Sequence, residues 1–351
     1  MFVSIKAGIK SILFSLIPLC AIVAVGEIGL RIANFRYSDM PLEVRNKPLS
    51  YAEEIASATQ ARLPTLWQGR RLIKDKFQHW VPQDSFEQHH EIDKAPAVVR
   101  IATLGCSCTQ GCAYTAHNYP SLMQEILNGV PGAKYEILNA GVGGYSSYQG
   151  LQRLKYSVLN YHPDIVTFFF GWNDHWFSYV SDKQLHIKRD WEVSLINFLE
   201  QFRIYQFYHF LIATLRDALS LSGKKTPVFR VSPKDYESNL NEMIDLSIKH
   251  QAKPVLITAP SELSGFQAQR HFPFPKETLI QVHAQYNQIV KSVAQQRSVP
   301  LIDLAQMMEI YLTSNPAPST PLFTDGVHFT PPGCALAAEM IVEKMRELGL
   351  L

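Results

Sequence analysis

The sequence has little net charge and lacks the motifs that mark several common protein classes. Its formal net charge is only +2, so no basic surface indicates nucleic-acid binding. No P-loop, no zinc-finger spacing and no GxGxxG at the start of a helical pattern is present, which excludes the usual nucleotide and zinc sites. The absence of internal repeats and low-complexity tracts excludes solenoids and long disordered arms.

What remains is an ordinary globular composition with few cysteines. Hydrophobic residues make up 46% of the 351 residues and charged residues 18%. This length suits one large domain or two smaller ones. Because the five cysteines are an odd number, at least one must be unpaired within the chain.

The amino terminus is the most apolar part of the chain. Residues 11–26 carry no charge, and the apolar pattern continues past Glu27 to Leu30, which makes a helix long enough to span a bilayer. Arg31 follows Glu27 by four residues, so the two should pair on one helix face. Residues 1–40 therefore predict a single-pass membrane anchor with the large domain on the periplasmic or other extracytoplasmic side. A cleaved signal peptide and a buried soluble helix are the alternatives.

Strands and helices alternate regularly from about residue 98. The predicted strands cover 98–105, 134–141, 254–260 and 299–304, and residues 164–174 predict a further strand followed by a polar turn. The predicted helices cover 119–127, 147–161, 234–251, 275–297 and 331–348. This alternation predicts an α/β fold with a parallel sheet and helices on both faces. Residues 41–97 predict a juxtamembrane linker plus added strands. The aromatic-rich segment 175–232 predicts a helical insertion that serves as a lid, a membrane-facing element or packing.

Chemically capable residues follow the ends of the predicted strands. They form four blocks: Gly105 to Ser107 after the first strand, Asn139 to Gly144 after the second, Gly171 to Asp174 after the third, and Asp325 to His328 before the last helix. In parallel α/β sheets, ligands bind at the carboxyl ends of the strands. We therefore expect the four blocks to converge at one edge of the sheet.

The residue types in these blocks suit acyl transfer. Ser107 on a tight turn is the candidate nucleophile, His328 its base, and Asp325 the acceptor that orients the imidazole. The backbone amides of Ser107 and Gly144 and the side-chain amide of Asn173 are the candidate oxyanion donors. Structural roles are the alternatives: a turn serine, a loop histidine, an Asp-Gly turn and a capping asparagine.

The four blocks resemble the motifs of SGNH (GDSL-type) hydrolases, a flavodoxin-like superfamily of esterases, lipases and acyltransferases. The first block matches Gly-Asp-Ser-x-Thr-x-Gly, except that Cys106 stands where the family has the aspartate. The family's oxyanion glycine falls on Gly144, with the neighbouring Gly143 as the alternative, and its oxyanion asparagine falls on Asn173. The resemblance covers residues 98–351 and implies a flavodoxin-like three-layer sandwich. The segments GWNDHW and RVSP (230–233) also resemble a membrane-anchored bacterial branch of the superfamily.

The cysteines around Ser107 allow several roles. A zinc site lacks the usual spacing and a fourth ligand, and a catalytic thiol would make the serine block a coincidence. A disulfide among Cys106, Cys108 and Cys112 is an alternative outside the cytosol. Buried free thiols are the default expectation.

The sequence thus predicts a membrane-anchored serine esterase that cleaves O-acyl esters through an acyl-enzyme on Ser107. Location and resemblance imply that the ester lies on a cell-envelope glycan or lipid. No metal, organic cofactor or nucleic acid is expected. An O-acyltransferase that uses the same triad and a catalytically inactive membrane-anchored binding module are the alternatives.

Overall fold

A computed structural model describes most of the chain from residue 86 onward and shorter stretches before it. The described residues are 17–18, 20–35, 37, 72–77, 80–82, 86–111, 118–132, 134–218, 227–263, 275–315 and 320–351. The first 16 residues of the predicted anchor, most of the predicted linker and Cys112 lie outside them.

The chain divides into two compact units. The smaller comprises Met1–Arg62, Ile73–Trp80 and Ile187–Lys225, and the larger comprises Leu63–Leu72, Val81–His186 and Thr226–Leu351. All four sequence blocks belong to the larger unit.

Nine strands occur among the described residues. They are β1 (Leu72–Lys74), β2 (Trp80–Pro82), β3 (Val99–Gly105), β4 (Tyr135–Asn139), β5 (Ile165–Phe169), β6 (Phe177–Ser178), β7 (Val228–Phe229), β8 (Lys253–Ile257) and β9 (Leu301–Ile302). Five of them form one sheet in the order β4-β3-β5-β8-β9, and every neighbouring pair in it is parallel. This confirms the predicted parallel sheet, and its order is the 2-1-3-4-5 order of flavodoxin-like folds. Strands β1 and β2 form a two-stranded sheet, and so do β6 and β7.

The described α-helices include all five that the sequence predicts. They are α1 (Ser107–Gln110), α2 (Tyr119–Asn128), α3 (Ser147–Tyr156), α4 (Asp190–Leu199), α5 (Arg203–Ala218), α6 (Pro233–Lys249), α7 (Lys276–Arg297), α8 (Leu304–Ser314) and α9 (Pro331–Glu347), besides an amino-terminal helix at residues 20–32. Short 3-10 helices cover Phe86–Gln88, Val158–Tyr161 and Asp182–Gln184. Helix α8 has no counterpart in the sequence prediction.

The sheet is buried on both faces. Every residue of β5, with the sequence IVTFF, is buried, which accounts for its continuous apolar run without alternation. Helices α2, α8 and α9 pack on one face, and α3, α6 and most of α7 pack on the other. The larger unit is therefore a three-layer α/β sandwich.

Strand register brings the first three sequence blocks side by side. Thr103 of β3 pairs with Asn139 at the end of β4, and Gly105 pairs with Phe169 at the end of β5. Because all three strands run in the same direction, the loops that follow them leave from one edge of the sheet.

The amino-terminal helix belongs to the smaller unit. Its Arg31 Nε donates to Glu27 Oε1 at 2.6 Å, as the four-residue spacing predicts. The other Glu27 oxygen accepts the backbone N–H of Ile204 in α5 at 2.8 Å. In the described part of the chain, no helix combines the length and the hydropathy needed to cross a bilayer, so the predicted transmembrane helix is not confirmed.

Candidate active site

The nucleophile turn is a sharp change of direction at the end of β3. The Cys106 carbonyl accepts the N–H groups of Thr109 at 3.1 Å and Gln110 at 3.0 Å, which closes α1 immediately after the strand. A Cβ on Gly105 would lie 2.0 Å from Thr109 Oγ1, so only glycine fits at this point. Ser107 is thereby placed at the first position of α1, where its backbone N–H is not used by the helix.

Neighbouring elements hold this turn although Cys106 replaces the family's aspartate. Asn139 at the end of β4 donates its side-chain amide to the Thr109 carbonyl at 3.1 Å. The Thr109 hydroxyl lies 3.1 Å from the Tyr119 hydroxyl at the start of α2. The Cys106 thiol is buried, and a hydrogen bond from Cys108, outweighing burial, lowers the pKa of that thiol to about 7. The turn is therefore supported from β4 and α2.

Ser107, His328 and Asp325 lie in one hydrogen-bonded chain. Ser107 Oγ lies 2.8 Å from His328 Nε2, and His328 Nδ1 lies 2.7 Å from Asp325 Oδ2. With Nδ1 as the donor to the carboxylate, Nε2 of the neutral imidazole is left to accept the serine hydroxyl proton. The structure thus brings together the three predicted triad residues, although Ser107 lies 218 positions before Asp325 in the sequence.

The loop that carries His328 is folded on itself. Asp325 Oδ1 accepts the backbone N–H groups of Val327 at 3.0 Å and His328 at 2.8 Å. The Thr324 N–H donates to the His328 carbonyl at 2.8 Å, which closes a narrow turn. Cys108 Sγ lies 3.5 Å from the Val327 carbonyl and joins this loop to the nucleophile turn.

The charge distribution favours a negative aspartate and a more basic histidine. Burial raises the pKa of Asp325, but the hydrogen bonds from His328 and Val327 and the His328 charge outweigh it and lower that pKa to about 2. Burial lowers the pKa of His328, whereas the hydrogen bond and charge of Asp325 raise it above its usual value. The aspartate therefore stabilises the imidazolium that forms when His328 takes a proton.

The second block presents amide donors beside the serine, and Asn173 of the third block contacts the loop that follows the second. A Cβ built on Gly143 would lie 3.9 Å from Ser107 Cβ, so the Gly143–Gly144 segment runs next to the nucleophile. The Gly143 N–H donates to Gln110 Oε1 at 2.8 Å, whereas the Gly144 and Ser107 N–H groups donate to no acceptor within the described residues. One Asn173 amide hydrogen is used by the Tyr145 carbonyl at 3.0 Å, and a second remains on that nitrogen. Gly144 rather than Gly143 therefore has the unused amide.

Asp174 and His175, which follow Asn173, have structural contacts. Asp174 is fully buried and accepts the backbone N–H groups of Ser147 at 2.8 Å and Gly171 at 3.0 Å. Its burial raises the pKa of the carboxyl to about 6 despite these bonds. His175 is also buried and lies 3.1 Å from the His283 ring. Asp174 thus caps the start of α3 and the turn after β5.

Three residues near the oxyanion donors were not predicted from the sequence. Gln110 contacts the Gly143 N–H, Arg230 Nη1 donates to the Gly144 carbonyl at 2.9 Å, and Asp182 pairs with Arg230 at 2.9 Å. Arg230 directly follows the apolar residues of β7. Because an unpaired charge is rarely buried, an arginine at this position of the sequence indicates an ion pair. Nothing in the sequence identifies its partner.

The described cysteines are free thiols. Cys106, Cys108 and Cys334 are buried and Cys20 is exposed, and none of these four forms a disulfide. This confirms the default expectation for Cys106 and Cys108. Their role near Ser107 is packing, together with the contacts already described.

Comparisons with known proteins identify the family. The model of the GDSL-like lipase/acylhydrolase family matches residues 103–336. The uncharacterized lipoprotein YqeF of Bacillus subtilis (strain 168) is 25% identical over 214 residues, which cover 58% of this chain and 69% of that protein. A lipase/acylhydrolase from Enterococcus faecalis is similar in structure with a TM-score of 0.47 and 20% identity, over 71% of this chain and 96% of that one. The acetyl xylan esterase AlAXEase is similar with a TM-score of 0.47 and 20% identity, over 70% and 98%.

The match to the family model begins within β3 and ends within α9, so it includes all four sequence blocks and more than half of the chain. A match of this extent establishes membership. The protein belongs to the GDSL-like lipase/acylhydrolase family and is a serine ester hydrolase.

Proposed function

We propose that the protein hydrolyses O-acyl esters through an acyl-enzyme on Ser107. The observation that carries this proposal is the hydrogen-bonded chain from Ser107 Oγ through His328 to Asp325, with distances of 2.8 and 2.7 Å. A serine, a base and an orienting carboxylate at hydrogen-bond distance are the arrangement that nucleophilic acyl transfer requires.

The reaction follows from this geometry. Neutral His328 takes the hydroxyl proton as Ser107 Oγ attacks the acyl carbon, and Asp325 stabilises the resulting imidazolium. The amides of Ser107, Gly144 and Asn173 donate to the oxyanion of the tetrahedral intermediate. His328 then returns the proton to the leaving alkoxide, and the acyl group stays on the serine. Water, deprotonated by the same imidazole, attacks this ester. The bond from the acyl carbon to Ser107 Oγ then breaks, His328 returns the proton to Oγ, and the carboxylic acid leaves.

The test is hydrolysis of p-nitrophenyl acetate by the full-length protein in detergent. Ser107→Ala should lower kcat/KM by at least about 10³-fold, since loss of the nucleophile leaves only residual rate enhancement. Ser194→Ala is the matched control, because this exposed serine of α4 hydrogen-bonds its own helix, and it should stay within about twofold of wild type. A folded Ser107→Ala protein with wild-type activity would contradict the mechanism.

Product analysis separates hydrolysis from acyl transfer. With a disaccharide present as an acceptor, hydrolysis predicts free acetate as the main product from the acetyl ester. An acetylated disaccharide as the main product would replace the hydrolase with an O-acyltransferase that uses the same residues.

We further propose that the substrate is an ester on a cell-envelope glycan or lipid and that the protein acts at a membrane. The amino-terminal helix supports this location, because Ile22 is 69% exposed and Val25 70% exposed, and residues 20–25 are all exposed. A helix with apolar residues all round is typical of a membrane environment. The lipoprotein name of the Bacillus subtilis relative is consistent with it.

Flotation with phosphatidylethanolamine–phosphatidylglycerol vesicles tests this location. The full-length protein should float with the vesicles. Replacing Ile22 and Val25 together by aspartate should lower the partition coefficient at least about tenfold, because a carboxylate is costly to place in lipid. Ile92→Asp is the control, since Ile92 is a similarly exposed isoleucine, at 53%, outside this helix. Wild-type protein that does not float would contradict the membrane location.

A further inference from the structure

The peptide bond that carries the Gly144 N–H lies between two glycines. Gly144 has φ +79°, in the left-handed region that glycine adopts without steric cost. Because neither Gly143 nor Gly144 has a side chain, this peptide plane has little intrinsic resistance to rotation. A rotated plane would direct the Gly143 carbonyl, rather than the Gly144 N–H, toward the oxyanion. Stabilisation of the oxyanion therefore requires that contacts on the two flanking peptide bonds hold both glycines in position.

One contact holds the preceding peptide bond, between Val142 and Gly143. The Gly143 N–H donates to Gln110 Oε1 at 2.8 Å. Gln110 is the last residue of α1, which begins with Ser107. The contact therefore ties the glycine pair to the turn that carries the nucleophile.

A second contact holds the following peptide bond, between Gly144 and Tyr145. Arg230 Nη1 donates to the Gly144 carbonyl at 2.9 Å, while Nη2 of the same guanidinium lies 2.9 Å from Asp182 Oδ2. The side chains of Arg230 and Asp182 are only 15% and 3% exposed. A planar guanidinium can donate to a carboxylate and a carbonyl at once, which an ammonium on a flexible stem does less well.

The ion pair is itself held in place. Ser146 Oγ donates to Asp182 Oδ2 at 2.7 Å. The Asp182 N–H donates to the Arg230 carbonyl at 2.8 Å, and the Arg230 N–H donates to the Trp176 carbonyl at 2.8 Å. Both the side chains and the backbones of the pair are thus bonded, so the guanidinium has a defined position from which to hold the Gly144 carbonyl.

We propose that Gln110 and Arg230 are positioning residues that keep the Gly144 N–H directed at the oxyanion, with Asp182 holding Arg230. This inference rests on the proposed acyl-enzyme mechanism. Neither residue needs to touch the substrate, because each acts through a backbone group of the glycine pair. The contribution should appear in the transition state, where the oxyanion forms, and not in substrate binding.

The test compares p-nitrophenyl acetate kinetics of full-length Arg230→Gln, Arg230→Lys and Gln110→Met proteins. Arg230→Gln and Gln110→Met should lower kcat about 10- to 100-fold with KM within about threefold, because oxyanion donors act on the transition state. Arg230→Lys should recover part of the loss. The acid limb of the pH profile should not move, since these substitutions leave the contact between His328 and Asp325 intact.

Arg153→Gln is the matched control. Arg153 is also a paired arginine, 3.0 Å from Glu87 and 16% exposed, but no contact joins it to the glycine pair. It should keep kcat within about twofold of wild type. If Arg153→Gln loses as much kcat as Arg230→Gln, then the loss reflects a broken ion pair in general, and the inference is overturned.

The outcomes separate this inference from the proposed function. Wild-type protein without Ser107-dependent hydrolysis overturns the proposed function and the inference together. Ser107-dependent hydrolysis with kcat unchanged in Gln110→Met and Arg230→Gln overturns the inference alone. If Arg230→Gln does not fold, Gln110→Met decides, because its substitution leaves the buried ion pair intact. A rise in KM of about 10- to 100-fold in these variants, with kcat unchanged, also contradicts the inference.

Discussion

Replacing Asp325 by asparagine tests the electrostatic role of the carboxylate without disturbing the loop. Asp325 Oδ1 accepts two backbone N–H groups, from Val327 at 3.0 Å and His328 at 2.8 Å. In Asp325→Asn these donors keep the side-chain oxygen in place, so the new NH₂ group must face His328 Nδ1, 2.7 Å away. An NH₂ group can only donate, so the imidazole must accept at Nδ1 and carry its proton on Nε2.

This tautomer cannot take the proton of Ser107. The expected loss in kcat is about 10³- to 10⁴-fold, as for other Ser-His-Asp triads with this substitution. That corresponds to about 4–5.5 kcal/mol of transition-state stabilisation at about 1.4 kcal/mol per decade. The pKa of His328 should also fall, because the carboxylate that raises it is gone. The acid limb of the remaining activity should therefore move to lower pH.

The assay is p-nitrophenyl acetate hydrolysis from pH 5 to 9, with thermal unfolding of the same samples. Because the loop hydrogen bonds persist, Tm should stay within about 3 °C of wild type. Asp235→Asn is the control, since Asp235 pairs with Lys183 and Ser232 at the start of α6, and it should keep its activity. A folded Asp325→Asn protein with kcat within about tenfold of wild type would refute the role given to the carboxylate.

Four further predictions concern pH and stability. For wild type, kcat/KM should fall as pH drops through an apparent pKa above the usual value of about 6.5 for His328, because protonated imidazole cannot act as the base. Asp174→Ala should lower the free energy of unfolding in urea by about 2–4 kcal/mol, since two buried N–H groups lose their acceptor; an unchanged midpoint contradicts this. Burial raises the folded-state pKa of Asp174 from 3.8 to about 6. As pH rises from about 4 to 6, the contribution of Asp174 to the free energy of unfolding should therefore decrease and then level off, which urea titrations across that range would detect. Gly150→Ala should cost about 1–3 kcal/mol, since its Cβ would lie 2.2 Å from Phe170 Cζ, and Phe170→Leu should recover part of that loss.

The strands and the positions of the four blocks could be predicted because each rests on a local pattern. The run at residues 165–170 is apolar at every position except Thr167, which is typical of a strand buried on both faces, and β5 occupies Ile165–Phe169. Polar residues directly after such runs must lie at the carboxyl edge of a parallel sheet. For the same reason, the serine and the two amide-bearing blocks could be assigned to one site before their distances were known.

The prediction at residues 299–304 was wrong at its end, and α8 was missed. Strand β9 covers only Leu301–Ile302, and Asp303 caps α8 by accepting the Gln306 N–H at 3.4 Å. The apolar residue Leu304 extends the strand-like run, although it is the first residue of the helix. An aspartate inside an apolar run was the signal for a helix start.

The supporting residues of the site could not be predicted because they act across long sequence separations. Gln110 reaches the Gly143 N–H from 33 residues away, and Arg230 reaches the Gly144 carbonyl from 86 residues away. Neither residue type has a fixed spacing relative to the glycine pair. Only the folded arrangement of β7 and the loop after β4 identifies these contacts.

Covalent labelling of the full-length protein in detergent with a fluorophosphonate, read by intact mass, tests most directly whether Ser107 is the activated nucleophile. An activated Ser107 predicts a single adduct on wild type, no adduct on Ser107→Ala, and slower labelling of His328→Ala. An unlabelled but folded wild-type protein, or an adduct that persists in Ser107→Ala, would contradict it.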